Sequence, residues 1–150
     1  MDKQDLKMLQ ALSENARITG ADIARRVNLS LPAVTSRLRK LDASGVIDKY
    51  TIRINRDKLQ LKLMAYIQVW LNHAKIDNTK QLLIDLPEVL ECHHAAGDYD
   101  LLLKVLVKDT DALETLLVDK IKGIKAIVRT STTIILNTYK EEVNVKTPSI

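Results

Sequence analysis

The chain has no phenylalanine, one tryptophan and four tyrosines, so its core must be built chiefly from leucine, isoleucine and valine. A single cysteine, Cys92, excludes an internal disulfide and fits a reducing compartment. No apolar run approaches the roughly 20 residues that a membrane-spanning helix requires. Nor does the charged start MDKQDLK resemble a signal peptide. These absences point to a cytoplasmic protein. What is present fits a folded chain: 46% of the 150 residues are hydrophobic, enough for one ordinary domain or two small ones.

The net charge of +4 is unevenly placed. Residues 1–60 hold 12 Lys/Arg against 7 Asp/Glu, whereas residues 61–150 hold 11 against 12. Within residues 25–56 the count is 8 against 2. A basic first part joined to a near-neutral second part implies a polyanion-binding module and a module with another task.

In the first part, Leu6, Leu9 and Leu12 recur at helical spacing from Asp2 to about Asn15. Thr19-Gly-Ala-Asp22 fits a capping box opening a second helix with Ile23, Ala24 and Val27 buried. Asn28-Leu29 makes a tight break, and Ser30 is a natural N-cap for a third helix. Pro32 is tolerated in its first turn, where N–H groups lack intrahelical partners. Val34, Leu38 and Leu41 form its inner face, and Gly45 is placed to end it in a left-handed conformation.

Helix, helix, short turn, helix is the helix-turn-helix pattern. With that seam inward, Thr35, Ser36, Arg39 and Lys40 face outward and Arg37 lies towards the flank. Arg and Lys neutralise phosphates or reach guanine edges, and hydroxyls bond either backbone or bases. The expected DNA-binding set is Ser30, Pro32, Thr35, Ser36, Arg37, Arg39, Lys40 and Lys49. Tyr50, Ile52 and Ile54 alternate with polar residues as a strand would, and Asn55 to Lys62 reads as a linker.

The second part predicts strands over 63–72, 89–95, 99–107 and 127–138, with helices over 77–86 and 110–122. Pro87 and Gly123 punctuate the helix ends, and Gly97-Asp98 forms a turn between the middle strands. The order βαββαβ is the ferredoxin-like arrangement, with both helices on one sheet face. The uncovered face would carry Tyr66 and Trp70, and an apolar face of that size is expected to pack on a second copy. The expected fold class is therefore α+β, an N-terminal (winged) helix-turn-helix domain plus a C-terminal ferredoxin-like βαββαβ domain. The corresponding division is 1–54, a linker at 55–62, a dimerisation domain at 63–140, and a tail at 141–150.

Catalysis finds little support. Cys92, His93 and His94 are adjacent on a strand, so the two histidines point to opposite faces and cannot share a metal ion without distortion. There is no phosphate-binding glycine loop and no Ser/His/Asp arrangement. Neither catalytic residues, metal nor cofactor is expected.

Four stretches, in order and spacing, carry a resemblance: DLKMLQALSENAR, LSLPAVTSRLRKLDASGVI, ECHHAAGDYDLLLKV and VRTSTTIIL. Together they resemble the Lrp/AsnC (feast/famine) family of bacterial and archaeal transcriptional regulators. The resemblance implies binding to double-stranded DNA, a homodimer that assembles into octamers or larger rings, and a nucleoid-associated location. It also implies an amino-acid effector held near Gly97, Asp98, Tyr99 and Asp100, with Thr130 and Thr132 helping to close the pocket. The alternatives are an effector-independent DNA-organising architectural protein and, more remotely, a sirohaem-decarboxylase-like enzyme. Two departures from the family pattern stand out: Ser30-Leu31-Pro32, where the family has Ser directly before Pro, and Gln60, where it has a glycine.

Overall fold

Each of the first three helices begins at a side chain that accepts a hydrogen bond from its own first turn. In the computed structural model, which describes residues 1–75, 78–142 and 144–145, these are α1 (Lys3–Glu14), α2 (Gly20–Val27) and α3 (Leu31–Ala43). Asp2 caps α1 in a reciprocal box: Asp5 N–H donates to Asp2 Oδ1 at 3.0 Å, and Asp2 N–H donates to Asp5 Oδ2 at 2.8 Å. At α2 the expected box is only half formed. Thr19 Oγ1 accepts from Asp22 N–H at 3.1 Å, but its hydroxyl then donates to the Asp22 carboxylate at 2.6 Å.

Asn28 ends α2 in the left-handed region (φ 53°), a conformation that asparagine tolerates better than most residues. Ser30 caps α3 through the Ala33 N–H. Gly45 (φ 72°) closes α3: its N–H donates to Asp42 O and the Val46 N–H to Leu41 O, the paired bonds of a Schellman turn.

The buried set of this bundle is Met8, Ile23, Ala24, Val27 and Val34, with Leu12, Ile18, Leu29 and Leu38 packed around it. The seam of α1 is thus Met8 and Ala11, rotated from the expected Leu6 and Leu9, which are only half-buried. Periodicity located the helix, but methionine and alanine are small or flexible enough to sit deepest. The strand expected at Tyr50–Ile54 is absent, and Tyr50, Ile52 and Ile54 are exposed. A strand exists only where a neighbouring backbone takes its N–H and C=O groups, and no described residue of the chain does so there.

By contact, the chain divides into two units, Met1–Ile54 with Lys140–Ile150, and Asn55–Tyr139. The segment Asn55–Lys62 makes turns, with Leu59 and Leu61 N–H both donating to Arg56 O. Gln60 there takes a φ of 60°.

The second unit holds β1 (Leu63–Leu71), α4 (Thr79–Ile84), β2 (Val89–His94), β3 (Leu101–Val107), α5 (Thr110–Thr115) and β4 (Ile127–Ile135). A single π-helical stretch, Leu116–Ile121, continues α5. The order β2-β3-β1-β4, with every pair antiparallel, is the ferredoxin-like topology. Asp77, expected to begin the first of these helices, lies outside the described residues, as do Val143 and residues 146–150 of the expected tail. The last strand ends at Ile135, three residues short of the expected limit.

Strand β1 alternates as its sequence dictates. Ala65, Ile67, Val69 and Leu71 join Leu101, Leu103, Val105, Leu113, Leu116 and Ile121 in the core, while Tyr66, Gln68 and Trp70 point to the other face and are half-buried. Met64, which shares that second face, is buried. Each core leucine or isoleucine contributes about 1.5–3 kcal/mol by leaving water, which fixes the register and so positions the loops at the strand ends.

Candidate functional site

Most of the expected binding residues lie in two places, the outer face of α3 and the Ala95–Asp100 loop. Burial of Val34 and Leu41 orients α3 so that Leu31, Pro32, Thr35, Ser36, Arg39, Lys40 and Ala43 line one shallow, open concavity. The Thr35 hydroxyl donates to Leu31 O at 3.0 Å, which leaves its lone pairs outward. Arg39 and Lys40 are exposed, and neither has an ion-pair or hydrogen-bond partner among the described residues. Two unpaired cations beside two hydroxyls on one helix face suit a phosphate backbone and base edges.

Arg37 is placed differently from the rest of the expected set. Its Nη1 donates to Asp2 Oδ2 and to Asp5 Oδ1, each at 2.7 Å, so the guanidinium is committed to α1. The hydrogen bond it donates to Asp5 and then that to Asp2 hold the Arg37 guanidinium above its ordinary pKa. Lys49 is exposed just beyond the helix. Leu31, which the sequence marked only as the residue separating Ser30 from Pro32, is half-exposed at the head of the concavity. Its Cδ1 would lie 3.0 Å from a Cβ placed on Gly20.

In the second unit the six expected effector residues do not form one cluster. Gly97 does not use a left-handed φ; the loop turns through a series of bends, and a Cβ at Gly97 would meet nothing within 4 Å. Asp98 is exposed. Tyr99 stands edge-on to Trp70, ring centroids 6.1 Å apart, and the Arg129 guanidinium lies over the same indole.

Asp100 is a structural acceptor. Its Oδ2 receives the Leu71 N–H at 2.7 Å and its Oδ1 meets His73 Nε2 at 3.0 Å. Thr130 and Thr132 pair with Val69 and Ile67, which places them on the helix-covered side of β4, opposite to Arg129. Register decides this: successive side chains along a strand alternate faces. Trp70, Arg129 and His73 escaped the sequence reading because only strand pairing brings them to the loop.

The cysteine–histidine stretch divides as the strand geometry requires. His93 aligns with Leu102 and His94 with Leu101, on opposite faces, and His93 Nε2 lies 3.0 Å from Glu91 Oε2. Burial pushes the Cys92 thiol above its ordinary pKa, away from the thiolate that a nucleophile needs.

Comparison with known proteins finds matches for both units of the chain. The pattern described as winged helix-turn-helix DNA-binding fits residues 1–48, and the Lrp/AsnC ligand binding domain fits residues 64–145. The leucine-responsive regulatory protein of Escherichia coli (strain K12) is 30% identical over 94% of this chain and 88% of its own. The crystal structure of a Neisseria meningitidis transcriptional regulator complexed with L-Met is similar at a TM-score of 0.93. It is 26% identical and covers 97% of this chain and 96% of that one. A Mycobacterium tuberculosis feast or famine regulatory protein complexed with L-methionine has a TM-score of 0.88 at 33% identity, covering 97% and 98%.

Proposed function

The chain belongs to the Lrp/AsnC family and is a transcriptional regulator of that type; from this premise we propose that it binds particular duplex sequences and that a free amino acid controls this binding by changing its assembly. The observation that carries the DNA-binding reading is the outer face of α3, where Arg39 and Lys40 stand exposed and unpaired beside Thr35 and Ser36 in one concavity. Pro32 shares that concavity, Ser30 and Lys49 flank it, and Arg37 is left out of the contact set.

For the effector, the supporting residues are the exposed Asp98, suited to an α-ammonium, and Arg129, suited to a carboxylate. Tyr99 and Trp70 add an apolar wall near them. Thr130 and Thr132, on the other face of β4, support the strand and do not touch this ligand, and Gly97 keeps the loop free of side-chain bulk. Asp100 holds the loop rather than the ligand. Two relatives with methionine bound make that amino acid the first to try.

Two copies pair through the open sheet face, and dimers gather into octamers or larger rings that place several reading heads on DNA. A ligand shifts that balance only by its difference in affinity between assemblies. The protein then works in the cytoplasm, on the nucleoid.

Fluorescence anisotropy with duplex oligonucleotides across a salt series tests the first claim, and binding with a steep salt slope is expected. Binding of equal strength to every sequence would favour a DNA-organising role instead. Calorimetry against the standard amino acids tests the second, and no heat from any of them overturns the effector reading. Residues 62–150 are expected to self-associate by light scattering, and a monomer there removes the pairing.

A further inference from the structure

We propose that Arg37 is a positioning residue and not a DNA contact: with Asp2 and Asp5 it ties the middle of α3 to the first turn of α1, and so sets the angle at which Arg39 and Lys40 meet the duplex. This rests on the DNA-binding reading above. The geometry is specific. One guanidinium nitrogen bonds two carboxylates at 2.7 Å each, and the same two carboxylates cap α1 through the reciprocal box.

The site is also partly sheltered, with the Arg37 side chain 33% exposed and that of Asp5 13%. Helix packing runs from α1 to α2 and from α2 to α3. Arg37 adds a direct polar tie between the first helix and the third. Charge argues in the same direction. Two carboxylates already neutralise the one guanidinium, so Arg37 has little charge left to offer a phosphate.

The two roles predict opposite signs. If Arg37 touched phosphate, replacing the neighbouring Asp5 by Asn would free the cation, remove a negative charge and strengthen DNA binding. If Arg37 positions α3, the same change loosens the helix and weakens binding. The experiment is duplex affinity of the full chain across a salt series for Arg37→Gln, Asp5→Asn and their combination, with Arg39→Gln as the contact control. Both single variants are expected to lose about tenfold in affinity at fixed salt, the scale of one charge-assisted hydrogen bond, with the combination losing no more than either alone. Their salt slopes stay at the wild-type value, whereas Arg39→Gln lowers the slope by about 1. Arg37→Lys, which can still reach one carboxylate, recovers part of the loss.

Circular dichroism confirms that each variant is folded at the assay temperature. Should Arg37→Gln not be, Asp2→Asn, which leaves the Asp5 bond in place, carries the test with the same expected sign. Tighter binding by Asp5→Asn, or a slope lowered by about 1 in Arg37→Gln, overturns the inference alone. A wild-type chain that ignores duplex DNA at low salt overturns the DNA-binding reading and this inference with it.

Discussion

The Arg129 guanidinium carbon lies 4.4 Å from the centroid of the Trp70 ring, across the β1–β4 pair. Trp70 is the only tryptophan in the chain, so intrinsic fluorescence reports on this point alone among indoles. We expect Arg129→Gln to shift the emission and to cost about 0.5–1 kcal/mol in urea unfolding, the value of a partly exposed cation–π contact. An amino acid bound beside Asp98 and Tyr99 should also change the emission. Calorimetric binding with an unchanged Trp70 spectrum places the ligand elsewhere.

Asp100→Ala leaves the Leu71 N–H and His73 without their acceptor. Loss of a charged acceptor from a part-buried N–H should lower stability by about 1–3 kcal/mol, read from denaturant midpoints. Asp100→Asn keeps one acceptor oxygen and should lose less. If ligand affinity falls in Asp100→Ala but not in Asp98→Ala, the roles assigned to the two carboxylates are reversed.

On α3, Arg39→Ala and Lys40→Ala should each weaken duplex binding and reduce the salt slope by about 1. Thermal melting should stay at the wild-type temperature, because both side chains lie off the buried seam. Unchanged affinity for either variant at physiological salt refutes the orientation given to this helix.

Two positions in left-handed backbone make opposite predictions. Gly45→Ala adds a methyl that meets no atom within 4 Å, so only the backbone conformation resists it, at about 1 kcal/mol. Gln60 already carries that strain at φ 60°. Gln60→Gly should therefore be neutral or stabilising, the reverse of most glycine substitutions. Urea midpoints of the two variants decide the matter.

Acid should weaken the first unit through Asp2. The backbone N–H of Asp5 and then the Arg37 guanidinium hold the Asp2 carboxyl below its ordinary pKa. A group depressed in the folded state stabilises it above the ordinary carboxylate value and loses that contribution as pH falls through the depressed one. Helical signal followed from pH 7 into the acid range should fall less steeply in Asp2→Asn. Parallel curves would mean that Asp2 contributes nothing to the pH dependence.

Much of the fold was legible because it rests on local patterns. The alternation of β1, the Ser30 cap and the Gly45 stop each follow from residues within one or two turns of one another. What escaped the sequence depends on distant pairing. Arg37 read as a flanking cation, since nothing in its own helix announces that Asp2 and Asp5 will reach it. Thr130 and Thr132 read as companions of the loop, but their side of the sheet is fixed by alignment with Val69 and Ile67. Tyr50, Ile52 and Ile54 have a strand's alternation, yet alternation cannot supply the second backbone that makes a strand.

The amino-terminal unit is not contiguous. Arg53 Nη1 donates to Glu141 O at 3.2 Å, so the described residues from Lys140 to Glu142 belong with the residues before Asn55. Anyone grafting a different reading head onto the second unit must therefore make two crossovers and exchange the segment at Glu141 together with residues 1–54. A single splice at Ile54 would leave Glu141 facing a stranger's side chain.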